Sequence, residues 1–131
     1  MLSSSGDRDV NGATMSGRSR PHSVTIVALI YILVGTAGFV FHFPKLVPLQ
    51  QDGLIVEFTE VLAVVAGAFM LRGHNWARWL ALAWMAFHVA ISVSDPVRKL
   101  AMHAVIFLLL AWILLRPAAG QYFRSAGAAA T

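Results

Sequence analysis

Two glutamates stand in a segment that is otherwise apolar enough to lie in a lipid bilayer. Glu57 and Glu60 are three residues apart in the stretch LIVEFTEVLAVVAGAFML, which covers residues 54–71. Acidic and basic side chains inside membrane segments usually pair with one another or mark proton and substrate pathways. Three histidines, which can carry protons or ligate metals, fall in the neighbouring apolar segments: His42, His88 and His103. These five residues are the candidate functional groups of the chain.

Three kinds of chemistry suit these side chains. They could hydrogen-bond one another and fix the register of the helices, at about 0.6 kcal/mol per contact. They could instead bind a cofactor, with two histidines ligating a haem, or with His88, His103 and Glu60 binding a divalent metal. Finally, Glu60 could titrate, with the histidines relaying protons.

The first reading is our main prediction, and it describes a non-enzymatic accessory or interaction subunit without a cofactor. The cofactor reading, a haem- or metal-binding redox protein, is an alternative because the sequence has no HExxH motif and no paired ExxH motif. A proton-coupled small transporter is the other alternative. Four helices enclose little room for a pathway, so the transporter would have to act as an oligomer.

The composition indicates an integral membrane protein. Of the 131 residues, 58% are apolar and 12% are charged, and the mean hydropathy is +0.70. An ordinary soluble domain is about half apolar and about a quarter charged. A chain of this length has room for one domain with four membrane spans of about 20 residues each.

Other classes of function are excluded by what the sequence lacks. Without cysteine there are no disulfides, thiolate metal sites or thiol redox chemistry. The basic residues are scattered and form no stripe for nucleic acid. Ser92 and Ser94 lie near His88 and Asp95, but the GxSxG pattern of hydrolases and the glycine motifs of phosphate-binding loops are absent.

Four apolar segments must position the candidate residues. They predict an all-α fold, an antiparallel four-helix bundle in the membrane, with helices at about 24–43, 54–71, 76–93 and 97–115. Residues 1–22 are rich in serine, glycine and charge, and they predict a disordered cytoplasmic tail in which Met15 could be the true start. Residues 117–131 predict a short cytoplasmic C-terminal tail.

The first segment also has some features of a cleavable signal peptide. Arg18 and Arg20 would form its basic region, and Gly35 to Ala37 could serve as a cleavage site. The apolar run continues beyond that site, which favours a membrane span.

The basic residues predict the orientation. With a cytoplasmic N-terminus, seven basic residues lie inside: Arg8, Arg18, Arg20, Arg72, Arg78, Arg116 and Arg124. Only three lie outside: Lys45, Arg98 and Lys99. Cytoplasmic loops carry the excess of basic residues, so both termini are expected on the cytoplasmic side of the inner membrane. Trp76 and Trp79 flank Arg78 and are expected to be interfacial anchors beside it.

This topology predicts that the acids and imidazoles share the outer third of the bilayer. Glu60 and His103 would lie about 9 Å deep, His88 about 7 to 8 Å deep, and Glu57 about 4 to 5 Å deep, with His42 near the outer end of its helix. A glutamate at the depth of Glu60 should be protonated or should pair with His88, His103 or Lys99. Glu57 and His42 are expected at the rim of this polar cluster, with Glu57 reaching the outer headgroups.

Two longer motifs carry a resemblance. The chain contains the motifs LRGHNWARWLALAW and LLRPAAGQYFR, together with RPHSVTIVALIY. In these motifs it resembles a group of uncharacterised small bacterial four-helix integral membrane proteins. The resemblance covers most of the chain between Arg20 and Arg124. It implies a four-span protein of the inner membrane and brings no activity, substrate or cofactor. The expected partners are the lipid bilayer, other membrane proteins or further copies of the same chain.

Overall fold

The computed structural model describes residues 20–46 and 51–128. The described residues form five α-helices and two short 3-10 turns, Phe43–Leu46 and Ser92–Ser94, which confirms the all-α prediction for this part of the chain. The helices are α1 (His22–His42), α2 (Gln51–Leu71), α3 (Asn75–Ile91), α4 (Val97–Leu115) and α5 (Pro117–Ala128). The predicted tail covers residues 1–22, but His22 already belongs to α1. Residues 1–19 of that tail, with Arg8 and Arg18, lie outside the described residues, as do residues 47–50 and 129–131.

Proline and glycine set several of the helix ends. Pro21 and Pro96 directly precede α1 and α4, and Pro117 is the first residue of α5. Proline suits these positions because its φ is fixed near the helical value and it has no backbone N–H to satisfy. After α2, Gly73 has a φ of +79°. Its N–H bonds the carbonyl of Met70, and the N–H of His74 bonds that of Phe69, which is a Schellman motif.

Four of the helices are long enough and apolar enough to cross a membrane. These four segments contain 19 to 21 residues each, with mean hydropathies between 1.3 and 2.4. Large apolar side chains cover their outer surfaces, including Leu33 (69% exposed), Phe41 (77%) and Leu108 (66%). So much exposed apolar surface suits a lipid environment and not water.

A seam of glycines joins α1 and α2. A β-carbon on Gly35 would lie 2.6 Å from the carbonyl oxygen of Glu60, and one on Gly67 would lie 2.6 Å from that of Ala28. The later residue of α1, Gly35, contacts the earlier residue of α2, and Ala28 contacts the later one, so the two helices run antiparallel. Small residues allow the backbones of membrane helices to approach this closely.

The remaining helices pack less evenly. Helix α3 packs against both α2 and α4, whereas α1 and α4 barely touch each other. In α4 only Leu110 and Leu114 are buried. The gap between α1 and α4 leaves a cleft that the apolar side chains of both helices line.

The segment after Arg116, expected as a short tail, forms helix α5 in its described part. Phe123 is completely buried and Ala119 is nearly so. The hydroxyl of Tyr122 donates to the carbonyl oxygen of Leu71 at 3.0 Å and accepts a bond from Nε of Arg20 at 3.1 Å. Helix α5 is therefore tied to the beginning of α1 and the end of α2.

Candidate functional site

The cleft between α1 and α4 is the main cavity-like feature near the candidate residues, and α3 forms its floor. Its volume is about 620 Å³, within the usual range for sites that bind small molecules. Along α1 its lining runs from Ser23 to Val34, a distance of about 16 Å at 1.5 Å per residue. Rim residues such as Ile26 and Ile30 are half exposed, so the cleft opens sideways between the helices.

Two imidazoles line one end of this cleft. Nδ1 of His88 lies 2.9 Å from the carbonyl oxygen of Trp84. The Ser92 hydroxyl oxygen lies 2.7 Å from both the carbonyl oxygen of His88 and Nδ1 of His103. The two imidazole rings are 6.4 Å apart between centroids. One serine hydroxyl therefore links the end of α3 to the beginning of α4.

This network assigns the protons of both rings. A carbonyl oxygen can only accept, so Nδ1 of His88 carries a hydrogen. The single hydroxyl hydrogen of Ser92 goes to the carbonyl of His88, and Nδ1 of His103 must then be the donor to the serine oxygen. In each neutral ring the lone pair is left on Nε2. Neither Nε2 has a partner among the described residues, and neither is sealed in the interior. The cleft thus offers two hydrogen-bond acceptors.

Aromatic rings form the wall next to the imidazoles. The centroid of the Trp84 ring lies 4.0 Å from that of the His88 ring and 5.3 Å from that of the Tyr31 ring, which meets it edge to face. Trp84 is held in place by its Nε1, which donates to the carbonyl oxygen of Thr59 at 2.7 Å. Tyr31 is fixed by its hydroxyl, which donates to the carbonyl oxygen of Ala81 at 2.8 Å.

Glu60 brings a carboxyl group to the same cleft. Its carboxyl atoms occupy the space next to Gly38 that any larger residue there would fill. Within the described parts of the chain, Glu60 pairs with none of the three expected partners. His88 and His103 make the bonds given above, and Lys99 forms an ion pair with Asp95 at 2.7 Å. The Oε2 atom of Glu60 is buried without a partner.

Glu57 and His42 do not line the cleft. Glu57 is only 6% exposed, and both of its carboxyl oxygens are buried without a partner among the described residues. The expectation that Glu57 reaches the outer headgroups is therefore wrong. Helix α2 begins at Gln51 and not near Leu54, so Glu57 lies in the second turn of the helix, and its burial shows that it faces the protein interior. Nδ1 of His42 is likewise buried and unpartnered in this part of the chain.

The residues do not fit the proposed metal site. In residues 20–46 and 51–128, no group of three or more histidine, cysteine, aspartate or glutamate side chains lies close enough to hold an ion. Glu60, His88 and His103 share the lining of one cleft but do not converge on one point. The structure gives no support to a centre with two imidazoles and a carboxylate.

The expected interfacial anchors lie at the beginning of α3, at the end of the molecule away from the imidazoles. Trp76 and Trp79 are each about half exposed. The Cζ atom of the Arg78 guanidinium lies over the Trp79 ring, 5.2 Å from its centroid, and over the Phe123 ring, 5.7 Å from its centroid. The Arg78 guanidinium therefore lies between α3 and α5. The sequence did not predict this contact, because residues 117–131 were expected to form a tail.

Ser92 and Trp84 are among the site residues for which the sequence predicted no role. Ser92 is four residues after His88, which is four residues after Trp84. Residues at this spacing share one helix face, and that was the signal available. The link from Ser92 to His103 depends on the tight turn between α3 and α4.

Four helices are long enough and apolar enough to cross a membrane, and their length and composition indicate the class of multi-pass membrane proteins. No protein-family model matches the chain, and neither does any curated protein or solved structure.

Proposed function

We propose that this chain is a non-enzymatic accessory protein of the inner membrane that binds an amphiphilic molecule with an alkyl chain and an amine head. The proposal includes an antiparallel four-helix bundle with both termini on the cytoplasmic side, as the distribution of basic residues favours. It agrees with the resemblance to small bacterial four-helix membrane proteins.

The shape of the cleft supports a chain-like occupant. It is about 16 Å long by the helical rise along α1, and its wall is apolar over most of that length, with residues such as Val27, Ile106 and Leu110. It opens sideways toward the surrounding lipid. A long alkyl chain fills such a groove and can enter from the bilayer without passing through water.

The single observation that carries the proposal is the set of polar atoms at one end. Nε2 of His88, Nε2 of His103 and the carboxyl group of Glu60 are acceptors, and none has a partner among the described residues. An amine head group at this end of the cleft supplies donors to whichever of these acceptors it meets, and an ammonium head also complements the charge of an ionised Glu60 carboxylate. The Trp84 and Tyr31 rings next to them attract cations to their faces.

Binding of three probes with the same chain length tests the proposal. Dodecylamine, dodecanol and dodecanoate are added to the purified protein in a nonionic detergent, and binding is followed by Trp84 fluorescence and by the shift in Tm. For the fluorescence, the other three tryptophans are replaced by phenylalanine. We expect dodecylamine to bind most tightly and dodecanoate least tightly. Glu60→Gln should weaken amine binding about tenfold or more, since a charge-assisted hydrogen bond contributes about 1.5–3 kcal/mol.

Glu57→Gln is the matched control because it removes a similar carboxyl group one helical turn away that does not line the cleft. This variant should keep most of the affinity for dodecylamine. Equal binding of amine and carboxylate probes, or an equal loss in both glutamine variants, would overturn the proposal.

Proton-coupled transport is the second candidate, and the position of Glu60 favours it. An intramembrane carboxyl group at the edge of a ligand cleft is a usual part of a proton-coupled transporter. Here the protein would act as an oligomer. Proton flux in liposomes that is unchanged by Glu60→Gln would count against transport while leaving the binding proposal intact.

A further inference from the structure

Five arginines gather at the end of the molecule opposite the imidazoles, where α1 and α3 begin and α2 and α4 end: Arg20, Arg72, Arg78, Arg116 and Arg124. The acidic side chains that the structure describes, Glu57, Glu60 and Asp95, all lie toward the other end. Among the described residues this end therefore has a strong excess of positive charge and no carboxylate to balance it.

Two of these arginines converge on one point. A β-carbon on Gly120 would lie 3.7 Å from an Nη atom of Arg78 and 3.8 and 3.9 Å from the two Nη atoms of Arg124. Gly120 itself is buried beneath them. Two guanidinium groups that face the same small space repel each other unless an anion lies between them.

The Arg78 side chain also has a donor that lacks an acceptor. Its guanidinium is held between the rings of Trp79 and Phe123, and its Nε is buried with no hydrogen-bond partner in the described residues. Buried donors are nearly always satisfied, and an exception points to an unseen ion or ligand. A phosphate oxygen is an acceptor that suits such a donor.

We infer that Arg78 and Arg124 form a binding site for the phosphate of an anionic phospholipid, between α3 and α5. The guanidinium fork matches a phosphate with two parallel hydrogen bonds. Two arginines without a carboxylate favour a lipid with net negative charge, because the ammonium of a zwitterionic head group would be repelled.

The position of the site identifies a lipid, and not free phosphate, as the source of that phosphate. Arg78 is the fourth residue of α3, about 4 to 5 Å along the helix axis from its first residue. Helix α5 lies against the same end with Phe123 fully buried. A phosphate at this level of a membrane-spanning helix belongs to the head groups of the leaflet.

Lipid retention tests the inference on the full-length protein. The protein is purified in a nonionic detergent doped with equal amounts of phosphatidylglycerol and phosphatidylcholine with the same acyl chains, and bound lipid is counted by native mass spectrometry. We expect phosphatidylglycerol to be retained at least about tenfold more than phosphatidylcholine. The double variant Arg78→Gln/Arg124→Gln should abolish this preference. Arg124→Gln alone, at an exposed position where folding is not at risk, should reduce it several-fold.

The control double variant Arg98→Gln/Lys99→Gln removes two positive charges at the opposite end and should retain phosphatidylglycerol as the parent does. Equal retention of both lipids by the parent would show that the site does not select a negatively charged head group, and would overturn the inference. An equal loss in both double variants would show that general charge attraction explains the binding, and would overturn it as well. Displacement of phosphatidylglycerol by inorganic phosphate at a similar concentration would identify a free-phosphate site and would also overturn it. None of these outcomes depends on Glu60, so this inference and the proposed function can fail separately.

Discussion

The hydroxyl of Tyr31 on α1 donates a hydrogen bond of 2.8 Å to the carbonyl oxygen of Ala81 on α3, and both residues are buried. This bond connects two helices that are not consecutive in the sequence. It fixes the Tyr31 ring against Trp84 and therefore the aromatic wall of the cleft. The bond thus joins the packing of α1 to the geometry of the candidate site.

Tyr31→Phe should destabilise the protein only slightly, because the ring remains and the Ala81 carbonyl keeps its bond within α3. Interhelical hydrogen bonds in membranes contribute about 0.6 kcal/mol on average. Reversible unfolding in mixed micelles would measure this difference. A loss of about 3 kcal/mol or more would show that the hydroxyl has a larger role than this single bond.

Alanine substitutions of glycines between α1 and α2 should separate an effect on helix packing from an effect on ligand binding. Gly67→Ala puts a methyl group against the backbone of Ala28, which cannot easily move, and overpacking of this kind costs about 1–3 kcal/mol. Gly38→Ala instead meets the end of the Glu60 side chain, which can turn away. We expect Gly67→Ala to lower the Tm strongly. Gly38→Ala should mainly weaken dodecylamine binding, and a loss of stability as large as that of Gly67→Ala would contradict this.

Ser92 should hold the tautomer and orientation of His103. Ser92→Ala removes the hydroxyl that accepts from Nδ1 of His103 and donates to the carbonyl of His88. We expect a loss of stability of about 1 kcal/mol and a several-fold weaker affinity for dodecylamine. Ser92→Thr keeps the hydroxyl and should restore part of the affinity. Ser94→Ala, at an exposed position in the same turn, should match the parent in both measurements.

Reporter fusions test the orientation. A periplasm-active and a cytoplasm-active reporter are each fused after Arg72, within the turn between α3 and α4, and at the C-terminus. We expect cytoplasmic activity after Arg72 and at the C-terminus, and periplasmic activity in the α3–α4 turn, because the arginines cluster at the former end. The reverse pattern would place the Glu60 end of the cleft on the cytoplasmic side.

Purification in mild detergent followed by an absorption spectrum and elemental analysis tests the remaining cofactor alternative. A haem ligated by His88 and His103 would give a strong Soret band, and a bound metal would appear at one equivalent or a simple fraction of it. We expect no bound metal, because Glu60, His88 and His103 do not converge on one point, and no haem, because the proposed function requires none. A stoichiometric metal or haem that is lost in His103→Ala would contradict the amphiphile proposal.

The helices could be predicted from the sequence more easily than the site. Runs of apolar residues between Pro21, Gly73 and Pro117 are local signals, and they place the membrane-length helices within a few residues of their observed ends. The short, alanine- and glycine-rich segment after Pro117 gave no such signal. Its helix is stabilised by the burial of Phe123 and by the bond from Tyr122 to Leu71, contacts with residues distant in the sequence.

The sequence alone determined that this is an all-helical protein with four membrane-length segments, because length and hydropathy act locally and do not depend on which helices meet. It also supplied the acids and imidazoles. Only the tertiary structure decided their partners. Contact between α1 and α4 is slight, so a cleft remains that receives Glu60, His88 and His103, while Glu57 packs inward and Arg78 meets Arg124 across Gly120. Such partnerships depend on helix rotation and separation, which non-local packing sets and which apolar periodicity does not encode.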